Sequence, residues 1–323
     1  MQSGLSLDFV MSFCRDKIPG HGEDSYCYSF CDTAGMLGAF DGCGGAGARK
    51  HAYYSGHTEA YMASRLCAGA FYDLFRKHFP CNRSAVSLTK EVFAPQTAKR
   101  LIEFGPPKDA AGFQIKGSSV RSLPSTAAVA VIQQDSDGSM LVTAIWAGDS
   151  RVYVMDSLGL AQLTVDDTTV TDPMMNIYED GILKNILCSD KPIDLHCKTI
   201  KMREPFILFA ATDGCFGYLS TPMEFEGILL ETLLESKCVA EWERKLIDVI
   251  GSIAGDDHTL CLAAYGYGSY ETIKNSFAKR YDFVEKNYLI PVSIIPIEDR
   301  DSRFALWELY RNDYMRFIKE VQP

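Results

Sequence analysis

The side chains best suited to chemistry in this sequence are carboxylates. They gather at four places: Glu23 beside Asp24, Asp41 before Gly42, Asp213 before Gly214, and Asp256 beside Asp257. Each lies where an apolar run ends or a turn begins, and sites are commonly built at such positions on a rigid scaffold. Asp-Gly is also an ordinary turn dipeptide, so none of the four is informative alone; their combination is. Asp41 follows MLGAF and Asp213 follows FILFAAT, so both carboxylates emerge from segments that read as buried strands. An unpaired charge there is costly, and a bound cation would neutralise it. The glycine after Asp41 lets the backbone approach such an ion, which makes the Gly42 carbonyl a candidate ligand beside the Asp41 side chain. Carboxylates, a carbonyl and waters form an all-oxygen set that suits Mg2+ or Mn2+ and not zinc.

The elements that must position these acids are legible in outline. Ser25–Phe30 and Met36–Phe40 read as a hairpin around the polar turn at 32–35. Tyr61, Ala68, Phe71, Phe75 and Phe79 recur at helical steps and predict a long amphipathic helix ending before Pro80. A second helix is expected around 96–104. AAVAVIQ, MLVTAIWA and RVYVMD then read as an antiparallel meander, PFILFAA as a further strand, Met223–Leu234 and Val239–Ile253 as helices, and HTLCLAAYG as the closing strand. Strands and helices in blocks imply an α+β layered domain and not alternating βαβ units. Beyond Gly268, helices are expected over Tyr270–Asn287 and Ser302–Glu320. In the second of these Trp307, Tyr310, Tyr314, Phe317 and Val321 share a face that reads as core, docked on the domain or used for self-association.

Composition narrows the function. The 323 residues carry a net charge of −10 and no basic stripe, which argues against nucleic-acid binding. No apolar run is long enough to span a membrane, and the N-terminus lacks the pattern of a secretory signal, so a cytoplasmic protein is expected. The eleven cysteines lack paired metal-ligand spacing and read as reduced, mostly buried thiols.

In order, GEDSY, AFDGCGG, PSTAAVAVI, AGDSRVYV, QLTVDD, ILFAATDG and GDDHTLCL resemble the motifs of the type-2C, metal-dependent (PPM) protein phosphatases, in a bacterial style, over roughly residues 5–266. The resemblance implies a central antiparallel β-sandwich with helices on both outer faces, a catalytic domain over 1–268 and a helical extension over 269–323. It implies Asp41, Asp213 and Asp256 as the catalytic, metal-binding acids. It adds the Gly42 carbonyl, Glu23 and Asp24 to the ligands of two Mn2+ or Mg2+ ions, Asp24 chiefly as an orienting acid. The implied reaction is hydrolysis of phosphoserine or phosphothreonine on a phosphorylated protein by a water shared between the two cations. Asp149 and Arg151 match a family motif and read as structural.

The pattern departs from the family in three places. Pro19 stands where an Arg often grips the substrate phosphate, leaving Lys17 and Arg15 as the nearest phosphate-binding candidates. Cys43 follows the Asp41-Gly42 pair where animal members have His; a neutral thiol is a poor proton donor to a leaving alkoxide. No acid precedes Ser125-Thr126, which puts a third metal in doubt. Residues 168–201 correspond to the variable flap that shapes substrate access. The loss at Pro19 also motivates a second reading, a pseudophosphatase that keeps the fold as a binding or regulatory module, and a calcium-stabilised structural site is a third.

Overall fold

Strand segments here are apolar at every position because both of their faces are covered. In β4 (Ala127–Gln134), Ala127, Val129 and Val131 face one cluster of side chains while Ala128, Ala130 and Ile132 face another. In β9 (Phe206–Ala211) the same alternation sends Ile207 and Phe209 outward and Phe206 and Leu208 inward. Period-two alternation between two cores is the signature of a strand sandwiched between a second sheet and a helical layer. The computed structural model describes residues 5–78, 89–106, 121–179 and 181–318.

Ten strands form two antiparallel sheets. One has the order β1 (Leu7–Arg15), β10 (His258–Tyr265), β9, β6 (Arg151–Asp156), β7 (Gly159–Gln162); the other has β2 (Ser25–Cys31), β3 (Ala34–Phe40), β4, β5 (Met140–Ala147), β8 (His196–Met202). Their inner faces meet in a core of Leu37, Ala130, Ala144, Val154, Leu208 and Ala263. The small residues let the sheets approach. Outside the second sheet, α1 (Glu59–His78) and α2 (Lys90–Glu103) pack Phe71, Phe75 and Phe93 on Phe40 and Val129. Outside the first lie α4 (Pro222–Glu235), α5 (Val239–Ile253), α6 (Tyr270–Val284) and α8 (Arg300–Tyr314). Between β7 and β8 runs a short helix, α3 (Pro173–Glu179), and after α6 a π-turn leads into α7 (Ile290–Ile294). The α+β sandwich with helices on both faces is the architecture expected from the motif order.

The structure corrects that reading in detail. The three strands read as a meander do not share a sheet: β4 and β5 pair, but β6 belongs to the other sheet, where it pairs with β7 and β9. Gly148, at φ +93°, lets the chain reverse and cross the sandwich at that point. β1, at one edge of the first sheet, was not anticipated, because its burial is irregular and it lacks a clean alternation. The stretch 196–201, assigned to the flap, is most of β8, paired with β5. The second helix begins six residues earlier than expected, at Lys90 in place of 96, and carries Pro95 within its second turn. Phe79 and Val321, placed in helical stripes, lie outside the described residues.

The C-terminal helices share one core with the sandwich. Trp307, Tyr310 and Tyr314 are fully buried against Tyr153, Phe225 and Tyr288, so the aromatic stripe is consumed within the chain. Beneath it Arg280 makes a paired contact with buried Glu226 at 2.8 and 3.1 Å, and the Tyr310 hydroxyl donates to the same carboxylate at 2.5 Å. Such a network is satisfied on all sides, and removing one partner strands the others. No helix among the described residues is long and apolar enough to cross a membrane.

Truncation after Gly268 would uncover this apolar surface of the first sheet. It is expected to yield aggregated protein or a thermal midpoint lowered by well over 10 °C, and Trp307→Ala in the full chain to cost about 3–5 kcal/mol in denaturant unfolding. A truncated chain that stayed monodisperse with an unchanged midpoint would contradict the shared core.

Candidate active site

Register brings the acids to one end of the sandwich. Ser25 pairs with Phe40, Ala127 with Ala147, Arg151 with Ala211, and Arg15 with His258. Four separate ladders thus stop at the same edge, and the segments leaving them carry Glu23, Asp24, Asp41, Asp149, Asp213 and Asp256. The backbone is pinned there. The Asp41 amide donates to the Thr126 hydroxyl at 3.1 Å, and the Thr126 amide donates back to the Asp41 carbonyl at 2.8 Å. Asp257 accepts the amides of Lys17 at 2.7 Å and Glu23 at 2.6 Å, tying the β1–β2 loop to the start of β10. A Cβ on Gly42 would sit 2.4 Å from the Ala60 carbonyl oxygen, and one on Gly214 only 1.9 Å from that of Asp257. Both positions after the strand-end aspartates need glycine for close backbone approach. At Gly42 that approach is to protein backbone.

The acids feel one another. Burial first, then Asp24, Asp213, Asp149 and Asp256, push Asp41 well above the usual carboxylate range. Burial raises Asp24 to about 8 against the opposing hydrogen bond from the Thr212 hydroxyl at 2.7 Å. Burial, then Asp213, raises Asp149 to about 8, and burial, then Asp256, raises Asp213 to about 6. Like charges in a poorly solvated setting produce this pattern, and such clusters mark candidate functional sites. Cys43 responds in kind: burial, then Asp41, drives its thiol well above its ordinary value.

Not every expected residue reaches the same place. Asp41, Asp149 and Asp213 line one cleft of about 620 Å3. Glu23 opens on a neighbouring cavity beside Lys50, His57 and Thr58, and the Thr58 hydroxyl donates to it. Asp24 is buried beneath, at 2% exposure. Asp256 is exposed. Among the described residues no three His, Cys, Asp or Glu side chains converge as a ready-made cation cage. The fit to a hard divalent ion is therefore one of donor chemistry and charge: oxygen ligands, at least five acids within electrostatic reach, and one carboxylate oxygen, Oδ1 of Asp149, buried without a hydrogen-bond partner.

That orphaned oxygen corrects the structural reading of Asp149. It lines the cleft with Asp41 and Asp213 and belongs with the candidate site. Arg151 is as expected, a buried structural cation: its Nε and Nη2 grip Asp166 at 2.9 and 2.7 Å, and its guanidinium lies 4.2 Å over the Phe216 ring. The candidate phosphate ligands fare differently. Lys17 donates its ammonium to the Ala254 carbonyl at 2.5 Å, and Arg15 ends β1 in an exposed position. The cations that line the cleft are Arg121, Lys184 and Lys191. Nothing in the sequence singled these out, because they come from irregular segments without a motif. Buried Glu59 was also missed, because it opens α1 outside the apolar stripe that marked the helix; it holds His51 at 2.8 Å and the Leu123 amide at 3.0 Å and so fixes the loop after Asp41.

At the level of sequence, no family model and no curated protein matches the chain. At the level of fold, many solved structures do. The serine/threonine phosphatase PstP/Ppp of Mycobacterium tuberculosis superposes with a TM-score of 0.54 at 17% identity, over 81% of this chain and 98% of that one. The catalytic domain of a serine/threonine protein phosphatase PstP in complex with two manganese ions gives 0.52 at 17% identity, over 81% and 99%. The serine/threonine phosphatase Stp1 of Staphylococcus aureus gives 0.55 at 19% identity, over 82% and 97%.

The charge arrangement sets a pH dependence. Asp24, Asp149 and Asp213 hold their protons more tightly in the folded chain than in the unfolded one, where an aspartate titrates near about 3.9. The folded state then carries the extra protons, so the stability of metal-free protein falls as pH rises from about 4 through about 8, where Asp24 and Asp149 titrate, with Asp41 acting in the same direction. In EDTA the thermal midpoint is expected to drop across that window and Asp149→Asn to flatten its upper part. A midpoint that held level or rose through it would contradict the buried acid cluster.

Proposed function

With the fold of the PPM-type Ser/Thr phosphatases as premise, we propose that this chain is a metal-dependent protein phosphatase acting on phosphoserine or phosphothreonine, with residues 1–268 as the catalytic unit and 269–323 as an extension of it. The observation that carries the reading is the shared cleft of Asp41, Asp149 and Asp213 at the common end of both sheets. Two Mn2+ or Mg2+ ions, when bound, supply a water of lowered pKa and offset charge on the phosphoryl oxygens. Asp41, Asp213 and Asp256 would hold them, helped by Glu23 and the Gly42 carbonyl. Asp24, fixed by Thr212, steadies the end of β2 behind Asp41. Two manganese ions in the PstP catalytic domain support the count.

The chain's own residues account for the remaining roles. Arg121, Lys184 and Lys191 on the cleft wall attract and orient the phosphoryl dianion, a task that Lys17, turned to Ala254, is poorly placed to share. Cys43 stays a neutral thiol at pH 7, so the leaving alkoxide takes its proton from water. A second reading, a catalytically silent binding module, is favoured by the engagement of Lys17 and by Pro19.

Manganese-dependent turnover separates the two. Mn2+ at millimolar concentration is expected to raise the thermal midpoint by binding only the folded state and to support hydrolysis of an aryl phosphate and a phosphoserine peptide. Asp213→Asn should cut turnover by at least about 100-fold and weaken manganese binding while circular dichroism stays native. Full activity in Asp213→Asn would remove this residue from the site; a midpoint raised by Mn2+ in a wild type without turnover would favour the binding module.

A further inference from the structure

One wall of the cleft is formed by Gly181–Ile186, in an irregular stretch. Its middle is held by residues 167–169: the Thr169 amide donates to the Ile182 carbonyl at 3.0 Å, the Ile182 amide to the Thr169 hydroxyl at 3.0 Å and the Lys184 amide to the Asp167 carbonyl at 2.7 Å. Its leading end, at Gly181, is tied instead to α3. The Gly181 amide donates to Asn176 Oδ1 at 3.1 Å, and Asn176 Nδ2 donates to Asp166 Oδ2 at 3.0 Å. With only seven residues, α3 is too short to be stable alone. Its start is capped by Asp172, whose Oδ1 accepts the amides of Met174 and Met175 at 2.9 and 3.0 Å. The other oxygen of Asp172 faces the C-terminal helix, where Trp307 Nε1 donates to it at 3.3 Å and Arg311 lies 3.7 Å away. At the far end of α3, Tyr178 packs on Phe304 at 5.8 Å between ring centroids and lies under Arg300 at 4.9 Å.

A second limb runs in parallel. Arg151 donates to the Tyr314 hydroxyl at 3.4 Å, and that hydroxyl donates to Tyr153 at 3.2 Å. The same Arg151 grips Asp166, the acid that anchors Asn176. Asn176, Gly181, Asp149, Arg151 and Asp213 then surround a smaller cavity of about 350 Å3. Helix α8 thus reaches α3 through Asp172, through Asp166 and through the packing of Phe304 and Arg300 on Tyr178, and the first two contacts end on Asn176 or the start of its helix.

We propose that α8 is a positioning element for the cleft: Trp307 and Arg311 through Asp172, and Tyr314 through Arg151 and Asp166, fix α3 and so set where Gly181, the leading end of the wall, stands relative to Asp149 and Asp213. That this wall receives a phosphopeptide rests on the proposed function; that α8 holds it does not. The consequence is selective. An extended phosphopeptide must lie along the wall, whereas a small aryl phosphate needs only the acid floor.

The test uses full-length Trp307→Phe and Tyr314→Phe, each removing a polar hydrogen while keeping an aromatic ring. In metal-free protein, amide exchange over 173–179 and at Gly181 is expected to quicken about threefold to tenfold, the loss of one modest hydrogen bond, with exchange in β4, β9 and β10 and at Lys184 and Leu187, which are held by Asp167 and Ser125, unchanged. With Mn2+, KM for a phosphoserine peptide should rise severalfold at nearly constant kcat, and an aryl phosphate should be hydrolysed as by wild type. Unchanged exchange over 173–179 and at Gly181 in a folded variant overturns the proposal, as does an equal loss of kcat on both substrates. Should Trp307→Phe unfold, Tyr314→Phe, which loses only a hydroxyl, carries the same measurements. A wild type that hydrolyses neither substrate defeats the phosphatase reading and leaves the exchange result to decide the role of α8.

Discussion

The constraint on which the structure depends is the crowding of carboxylates at one end of a sandwich whose interior is dry. Asp41 has four other acids raising its proton affinity; Asp256 is exposed, but Asp24, Asp149 and Asp213 cannot retreat into solvent without pulling a strand end with them. Repulsion on this scale is tolerated because the backbone beneath is over-determined. Ladder bonds, the Asp41–Thr126 exchange and the Asp257 clamp fix each acid from its main chain, so side-chain repulsion is resisted by many bonds and not by one. Strain held at a site by surrounding order is a recurring price of preorganised chemistry.

The two helical layers serve different purposes. The α1–α2 side packs phenylalanines on the second sheet and contributes buried Glu59, which steadies the loop after Asp41. The opposite side is richer in polar linkage: Glu226–Arg280–Tyr310, Arg151–Asp166 and Arg316–Asp156, the last at 2.9 Å. Buried ion pairs add little net stability over apolar replacements but specify a single arrangement where slippage would be harmful. Only Arg151–Asp166 lies beside the cleft; the other two meet at the turn between β6 and β7, at the far end of the same strand, so β6 is held at both ends.

Much of this was readable from residues. Asp41 and Asp213 were found because burial of MLGAF and FILFAAT made the following charge anomalous, and the layered α+β class followed from strands and helices coming in blocks. What escaped had no local signature. β6 looked like the continuation of a meander since pattern reports that a segment is a strand, not which sheet it joins, and the crossing depends on a single glycine at positive φ. β1 escaped because an edge strand with one irregular partner carries no clean alternation. Asp149 and Arg151 stand two residues apart in one motif and read alike as structural; only three-dimensional placement separates them, Arg151 pairing with buried Asp166 while Asp149 lines the cleft. The basic lining of the cleft comes from segments 121–122 and 181–192, where no periodicity exists to be read.

One consequence of the sheet order concerns how the chain is made. β1 pairs with no strand but β10, and the clamp from Asp257 to Lys17 and Glu23 spans 240 and 234 residues. Emerging from the ribosome, the first strand must wait for almost the whole sandwich to be synthesised before it has a ladder to join, and the loop bearing Glu23 waits with it. Contacts so distant in sequence form late and slowly. The nascent chain therefore completes its second sheet first and remains without an assembled acid cluster until β10 inserts between β1 and β9, so a chain halted just before residue 258 already carries every candidate ligand from Glu23 to Asp256 and still lacks their final arrangement.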